Sequence, residues 1–291
     1  MEGIIVKGIG GNYYVKTHEE LIKCKARGKF RFDDLTPMVG DKVNVVLEKG
    51  EGLIDTIYER HNDLIRPFVA NVTQAFIIVT LKNPKLNFNL LNSFLVLCEC
   101  KKLKITVCFN KMDLVDDKDE ESIKAINIIK KAGYEVALLN AKKNIGIEVL
   151  KGKLSNEVTV FCGPSGVGKS TILNAISGRK IMETGEISLK SKRGKHTTRH
   201  SELIEVNEGF LVDTPGFSSL DMKFLDKQML LDSFIEFHNY SLDCKFSDCL
   251  HNKEPQCAVK KALIEGKISQ ERYDFYVKTL EEILSSRRNK K

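Results

Sequence analysis

Hydrophobic and polar residues alternate in short runs through the first part of the chain: GIIVKGIGGNYYVKT, LIKCKARGKF and DKVNVVLEKGEGLIDTIYE. Glycine-containing turns separate the runs at residues 10–11, 40–41 and 50–52. Period-two alternation between such turns is typical of β-strands. About five short strands without a convincing helix predict a small β-barrel over residues 1–66, and the OB-fold is the natural candidate. The pattern fits equally a β-rich domain that has no ligand of its own.

The pattern changes near residue 70, where apolar runs of strand length begin to alternate with helical stretches. The strands are AFIIVT, KITVCFN, EVALLNA, EVTVFCG and GFLVDT, and the helices include FNLLNSFLVLCECKKL and DEESIKAINIIKKAG, which ends in a glycine cap. This alternation predicts a parallel sheet covered on both faces, in an α/β domain over residues 67–222. Residues 223–291 are predicted to form a third, helical domain, interrupted by cysteine and histidine.

Composition places the chain among ordinary soluble proteins, with 42% hydrophobic residues and a mean hydropathy of -0.21. Apolar stretches such as AFIIV are too short to cross a membrane, and the N-terminus lacks the apolar core of a signal peptide. Five cysteines in apolar segments are expected to be buried thiols in a reducing compartment: Cys24, Cys98, Cys100, Cys108 and Cys162. We therefore expect a cytoplasmic protein that makes no membrane contact.

The stretch GPSGVGKS, residues 163–170, matches the phosphate-binding pattern G-x-x-x-x-G-K-[ST]. The apolar strand VTVF precedes it and the helix former STILNAIS follows it, as this loop requires. Its glycines let backbone N–H groups approach the phosphates from a helix N-terminus. Lys169 is expected to reach the β- and γ-phosphates, as a catalytic residue, and the Ser170 hydroxyl to ligate Mg²⁺. The residues expected to contact the nucleotide here are Gly163, Pro164, Ser165, Gly166, Val167, Gly168, Lys169, Ser170 and Thr171.

FNKMD, residues 109–113, supplies the prediction of guanine specificity. The carboxylate of Asp113 can accept hydrogen bonds from N1–H and from the exocyclic amine of guanine, whereas adenine offers neither arrangement. Asn110 and Lys111 are expected to brace the pocket, the lysine with its aliphatic stem along the base, and Met112 lies between them and Asp113. Four common residues recur by chance, but a position directly after the strand KITVCF makes the motif specific.

Two further segments complete the expected nucleotide site. LLNAKKNIG places Ala141 where a backbone N–H supports the base, with Asn140 at a position that is usually Ser. DTPG follows the strand GFLV; Asp213 is expected to hold the Mg²⁺ shell, and Gly216 to offer its N–H to the γ-phosphate. The base motifs precede the phosphate loop, the reverse of the usual GTPase order. Because the ends of a parallel sheet are neighbours, this order indicates a circularly permuted domain.

On FNKMD, GPSGVGKS, GKHTTRH and DTPGF, the chain closely resembles the circularly permuted bacterial GTPases of small-ribosomal-subunit biogenesis, the RsgA or YjeQ family, along essentially its whole length. The resemblance implies an OB-like domain, a permuted GTPase domain and a C-terminal zinc module. It also implies a GTPase that assists late maturation of the small subunit and is stimulated by the ribosome. Asn140, and Arg199 where another Thr is frequent, are departures that matter little.

The catalytic group is less clear from sequence. Ras-like enzymes carry Gln after the DTPG element to orient water, and this chain has Phe217, which cannot. His196 is the best internal candidate, although a solvated loop histidine is the more frequent outcome, and Thr198, slightly ahead of Thr197, is expected to complete the Mg²⁺ shell. Three alternatives stay open: a GTP-dependent RNA-binding switch with negligible hydrolysis, a non-enzymatic RNA-binding module that needs GTP for folding, and an ATPase or P-loop kinase.

The segment CKFSDCLHNKEPQC has the spacing C-x4-C-x-H-x5-C and offers three thiolates and an imidazole. Cys244, Cys249, His251 and Cys257 form a full tetrahedral set for Zn²⁺, with chance clustering or a redox dithiol as alternatives. Four protein ligands leave no open position, so one structural zinc per chain is expected. The segment holds little apolar material, and the metal is expected to replace a core.

The net charge of +7 is modest, but its distribution suggests a partner. Residues 188–200 and the tail RRNKK carry many lysines and arginines. Such runs are usually solvated surface. Beside a nucleotide site and a barrel of oligonucleotide-binding type, they point to rRNA. The expected partners are therefore GTP or GDP and the small ribosomal subunit with its rRNA, bound by a monomer.

Overall fold

The computed structural model describes residues 1–31, 35–48, 50–65, 67–178, 180, 201–213 and 222–288. It divides into two compact units, each assembled from separate stretches of chain. The first contains Met1–Gln74, Ile147–Phe161 and Ser170–Ser218, and the second contains Ala75–Gly146, Cys162–Lys169 and Ser219–Lys291.

A closed five-stranded barrel forms the beginning of the first unit. Its strands are β1 (Glu2–Ile9), β2 (Asn12–Thr17), β3 (Leu21–Ala26), β4 (Lys42–Glu48) and β5 (Glu51–Ile57). They pair in the order β1-β2-β3-β5-β4, and β1 closes the barrel by pairing antiparallel with β4. Only the β3–β5 pairing is parallel among these contacts. The predicted barrel of OB type is confirmed.

Alternation along the strands builds the interior of this barrel, because every second side chain points inward. The inward residues are almost fully buried: Ile5, Val15, Cys24, Val43, Val45 and Ile54.

A buried carboxylate at Asp41 accepts hydrogen bonds from Arg60, at 2.6 Å from Nε and 2.8 Å from Nη2. Asp41 also accepts the backbone N–H of Met38 at 2.7 Å, so its charge is compensated inside the fold.

Beyond the barrel, the first unit contains the short β6–β7 pair and, later in the chain, the β12–β13 hairpin. Its remaining elements are β6 (Asp63–Leu64), β7 (Val69–Ala70), α3 (Ile147–Lys151), β11 (Val158–Cys162), α4 (Lys169–Ser177), β12 (Glu202–Val206) and β13 (Gly209–Asp213). β13 runs parallel to β11 and antiparallel to β12, and β12 in turn pairs with β1 of the barrel. The barrel is therefore continuous with the β12–β13 hairpin through backbone pairing.

The second unit begins with alternating strands and helices: β8 (Gln74–Thr80), α1 (Phe88–Cys100), β9 (Lys104–Asn110), α2 (Glu120–Lys131) and β10 (Glu135–Leu138). β9 lies between β8 and β10, and β10 is parallel to β9. Every residue of β8 is buried, as expected for a strand covered on both faces. Side chains of Asn87 and Asp119 cap the two helices, and Gly133 follows α2 at φ 94°, as the sequence predicted.

The C-terminal part of the second unit contains four α-helices in its described residues, α5 (Lys227–Asp232), α6 (His238–Ser241), α7 (Ala258–Ile264) and α8 (Gln270–Arg288), with turns between α6 and α7. Single 3-10 turns occupy Gly28–Arg31, Met112–Leu114, Ala141–Lys143 and Ile235–Phe237. No strand follows residue 222 in the part of the chain that the structure describes, which agrees with the predicted helical C-terminal region. Within the same described part, no helix has the length and apolar character needed to cross a membrane.

Candidate functional site

Two glycines shape the phosphate loop that leads into α4. Gly163 has φ 138°, and a Cβ there would lie 2.1 Å from the carbonyl oxygen of Ile78 in β8. Gly168 has φ 98°, and a Cβ there would lie 2.4 Å from the Nδ2 atom of Asn110. Both positions combine a left-handed backbone with close contact, so any side chain would displace the loop.

Asn110 connects the phosphate loop to the base loop. Its Nδ2 atom donates to the carbonyl oxygen of Val167 at 2.8 Å, and its Oδ1 atom accepts the backbone N–H of Ala141 at 3.1 Å. The asparagine is buried and is the last residue of β9. Three segments distant in sequence therefore meet at one side-chain amide.

Lys111 braces the same loop from its other side. Its Nζ atom donates to the carbonyl oxygens of Gly166 and Asn83, each at 2.7 Å. The residue itself adopts φ 60°, which directs the chain into the 3-10 turn that holds Met112 and the exposed Asp113. The placement of the Lys111 stem along the base stays a prediction. The contact with the loop at Asn83 was not anticipated, because the motif alone does not reveal which segment lies opposite.

Lys169 opens α4 and folds over its own loop. Its Nζ atom donates to the carbonyl oxygens of Gly163 at 2.9 Å and Pro164 at 2.6 Å. Burial lowers the pKa of this ammonium group, since a charged amine is less well solvated there than in water. Ser170 and Thr171 follow in the first turn of the helix and are partly buried. Ser165 is exposed at the tip of the loop.

Asn140 replaces the usual serine without loss of its structural role. Its side chain accepts the backbone N–H of Lys143 at 3.2 Å and so caps the short turn that begins at Ala141. Asparagine and serine are comparable caps, which explains why the departure is tolerated.

Part of the expected site lies outside the residues that the structure describes. Asp213 ends β13, and the structure describes its backbone there. His196, Thr197, Thr198 and Gly216 lie outside the described residues, as does the basic run at 188–200.

The four expected metal ligands come together in the second unit. The ligand atoms of Cys244, Cys249, His251 and Cys257 all lie within 4.8 Å of one another. The Nδ1 atom of His251 lies 3.5 Å from the sulfur of Cys244 and 3.4 Å from that of Cys257, and these two sulfurs are 3.9 Å apart. A tetrahedral Zn²⁺ with ordinary bond lengths would separate its ligand atoms by about 3.5–3.8 Å. The residues fit such an ion.

Burial shifts the pKa values of three of the four ligand groups. Burial raises the pKa of the Cys249 thiol to about 12 and also raises that of Cys257, so a nearby positive charge is needed to keep them as thiolates. Burial lowers the pKa of His251, which keeps the imidazole neutral and able to ligate through Nδ1. A metal that binds here would therefore have to displace the protons of these thiols.

Three side chains that the sequence analysis missed hold the backbone of the ligand loop. The hydroxyls of Tyr273 and Tyr276 on α8 each donate at 2.7 Å, to the carbonyl oxygens of His251 and Leu250. The carboxylate of Glu254 accepts the backbone N–H of Leu250 at 3.0 Å. The tyrosines are three residues apart and so share one helix face, a signal that the sequence did carry.

The expectation that metal replaces a core in this region needs correction. The short ligand segment is poor in apolar residues, but helices on either side of it supply a core into which Cys249 and Cys257 are built. Its largest members are aromatic: Phe234, Phe237, Phe275 and Tyr276. The metal would therefore complete a core.

A buried ion pair lies next to this core. Arg272 of α8 donates to both oxygens of Glu236, from Nε at 2.5 Å and from Nη2 at 2.9 Å. Its Nη1 atom donates to Oδ1 of Asn92 in α1 at 3.0 Å. The guanidinium also lies 4.7 Å from the ring centroid of Phe234. Arg272 thus fixes the C-terminal helix to α1, and no sequence signal identified these partners.

Two family models together match most of the chain. The model described as the RsgA GTPase matches residues 57–223, and the model described as the RsgA N-terminal domain matches residues 2–54.

Similar proteins are found among both curated sequences and solved structures. The chain is 57% identical to the small ribosomal subunit biogenesis GTPase RsgA of Clostridium botulinum strain 657, over 100% of both chains. It is 56% identical to the protein of the same name from Clostridium perfringens strain ATCC 13124, over 99% of this chain and 100% of the other. The structure of YloQ, described as a circularly permuted GTPase, matches with a TM-score of 0.85 at 39% identity, over 98% of this chain and 95% of that one. YjeQ from Thermotoga maritima matches with a TM-score of 0.84 at 37% identity, over 97% and 98%.

Proposed function

The chain belongs to the RsgA GTPase family, and we propose that it hydrolyses GTP to GDP and phosphate while it assists late maturation of the small ribosomal subunit. The observation that carries this proposal is the network at Asn110, because it joins the phosphate loop to both base-recognition segments. A P-loop kinase or ATPase has no need of that connection.

The roles of the site residues follow from their chemistry. The loop 163–168 receives the phosphates on its backbone N–H groups, and Lys169 neutralises the charge that develops during transfer. Ser170, Asp213 and Thr198 are proposed to hold Mg²⁺, which supplies further charge neutralisation when it is bound. Asp113 selects guanine, supported by Asn140 and Ala141, and Gly216 senses the γ-phosphate.

Water activation remains the slow step in this proposal. Phe217 stands where other GTPases carry glutamine, so free protein is expected to turn over slowly. His196 is proposed to orient the water once the small subunit orders its segment. Stimulation by the subunit separates this enzyme from a switch with negligible hydrolysis.

The Cys244–Cys249–His251–Cys257 cluster is proposed to hold one structural zinc. The support is the spacing of its ligand atoms and the donor set of three sulfurs and one imidazole nitrogen. With four protein ligands, the metal has no open position for substrate.

We further propose that the protein binds the small ribosomal subunit through direct contacts with its rRNA. The barrel type and the basic residues at 188–200 support this choice. The working division is an RNA-binding barrel at 1–66, a permuted GTPase domain at 67–222 and a zinc module at 223–291. The protein is proposed to act as a monomer in the cytoplasm, where small subunits mature.

The test is GTP turnover with and without purified small subunits. The expected result is slow hydrolysis that rises at least about tenfold with subunits and is abolished in Lys169→Ala, a variant that should remain folded. Unchanged turnover on adding subunits would refute stimulated hydrolysis. If subunit binding and activity in cells survive in Lys169→Ala, the protein is an RNA-binding module and not a GTPase switch.

A further inference from the structure

Strand β1 divides one of its edges between two neighbours. Residues Glu2 to Ile4 pair with β4 and close the barrel, whereas Lys7 pairs with Glu202 at the start of β12. A register shift between Ile5 and Lys7 in the β1–β2 pairing accompanies this division. The barrel therefore contributes the next strand to the β12–β13 hairpin.

The register of this junction aligns one residue from each of three strands. Lys7 pairs with Glu202, and Glu202 pairs with Asp213, so the three residues lie on one line across three adjacent strands. The Nζ atom of Lys7 lies 2.7 Å from Oε2 of Glu202, and both side chains are about one-third to two-fifths exposed (34% and 42%). This line crosses the open end of the hairpin, since Glu202 begins β12 and Asp213 ends β13.

The opposite end of the hairpin is held by other contacts. A turn through Asn207 and Glu208 connects the strands, and the side chain of Asn207 donates to the carbonyl oxygen of Lys151 at 2.8 Å. The backbone N–H of Phe210 donates to the backbone carbonyl oxygen of Glu157 at 2.8 Å. The last pair of an antiparallel ladder frays most easily, so the open end depends most on an added neighbour.

We infer that Lys7 of the barrel, acting through Glu202, is a positioning residue for the C-terminal end of β13, where Asp213 is proposed to hold Mg²⁺. The inference rests on the proposed role of Asp213 in holding Mg²⁺. Lys7 fixes the strand position that pairs with Asp213, so the barrel is part of the apparatus that sets the requirement for Mg²⁺.

A second ion pair, between β2 and β12, provides a control on the same hairpin strand. Lys16 of β2 lies 3.2 Å from Glu205, at a similar exposure of 36% and 55%. Glu205 pairs with Phe210, towards the turn end of the hairpin and away from Asp213. A general effect of barrel charge on the Mg²⁺ requirement would appear when either ion pair is altered. An effect of positioning Asp213 would appear only when the pair of Lys7 and Glu202 is altered.

The experiment measures the Mg²⁺ concentration for half-maximal GTP turnover in the full-length chain. Lys7→Glu and Glu202→Lys are each expected to raise it about two- to fivefold, as suits a half-exposed ion pair, with unchanged turnover at saturating Mg²⁺. The charge-swapped double variant, Lys7→Glu with Glu202→Lys, should return within about twofold of the starting value, and Lys16→Glu should not move it. Thermal midpoints of all variants verify folding.

Direct electrostatics would give a different pattern, because added negative charge attracts Mg²⁺ and added positive charge repels it. Opposite shifts in the two single variants, no shift in either, or an equal shift in Lys16→Glu would overturn the inference. Failure of the proposed function would look different again. In that case the unaltered protein would show no Mg²⁺-dependent hydrolysis, or Asp213→Asn would leave the Mg²⁺ requirement unchanged.

Discussion

Asn110 reaches Val167 across 57 positions of sequence, and its side-chain amide donates a 2.8 Å hydrogen bond to that carbonyl oxygen. Asn110→Ala removes this bond and also leaves the N–H of Ala141 without its acceptor. Because unmade buried hydrogen bonds cost about 1–3 kcal/mol, GDP affinity by calorimetry should fall about 10- to 100-fold. Asn140→Ser preserves the cap at Ala141 and should stay within about twofold. Equal losses in both variants would contradict the assigned role of Asn110.

Base selectivity should change with Asp113. Asp113→Asn replaces a double acceptor by an amide that presents a donor, so the pocket should prefer xanthosine over guanosine nucleotides. Competition binding with GTP, XTP and ATP measures the change, and a reversal of about tenfold or more between GTP and XTP is expected. A variant that keeps the original preference would place guanine recognition elsewhere in the chain.

Metal content should follow the four-ligand cluster. Elemental analysis of protein purified without chelator should find one zinc per chain, and Cys249→Ser should lower this content sharply. Chelation or Cys249→Ser should also open residues 223–288 to protease and weaken subunit binding, with GTP binding retained. Cys100→Ser changes a half-buried thiol outside the cluster and serves as the control. Zinc-free native protein, or full subunit affinity in Cys249→Ser, would refute the site.

Stability should depend strongly on Arg272. Arg272→Ala leaves the carboxylate of Glu236 buried without a partner, which typically costs about 3–5 kcal/mol in free energy of unfolding. Denaturant unfolding, followed by a probe in the C-terminal region, measures the loss. In the neighbouring pair, Lys124 is 69% exposed and Glu271 is 31% exposed, so solvent screens the pair and Lys124→Gln should cost below about 1 kcal/mol. Similar losses in both variants would show that burial does not set the strength of the pair.

Local chemistry explains what the sequence revealed. The loop at 163–170 has flanking strand and helix signals within a few residues, and the glycines at 163 and 168 are required by backbone geometry that a pattern captures directly. Likewise, Cys244 and Cys257 lie close enough in sequence for ligand spacing to be informative. Alternation predicted the barrel strands for the same local reason.

Long-range pairing explains what the sequence concealed. Arg272 contacts Asn92, which lies 180 positions away, and the sequence of neither segment identifies the other as its partner. The partner of Lys111 at Asn83 and the pairing of Lys7 with Glu202 are of the same kind. The aromatic core beside the metal ligands was also missed, because its members come from helices on both sides of a segment that is itself polar.

The pairing of Lys7 with Glu202 sets the order in which the sheet can assemble as the chain is synthesised. Strand β1 can close the barrel with β4 as soon as the first several dozen residues have left the ribosome. The neighbour on the rest of that edge, β12, begins about 145 residues after the last barrel strand ends, which at 5–20 residues per second is a delay of roughly 7–29 s. During that interval the nascent barrel presents part of one strand edge without its final neighbour. Completion of the sheet therefore has to wait for the phosphate loop to be translated, so the barrel is joined to the GTPase hairpin only after nearly all of the nucleotide site has been synthesised.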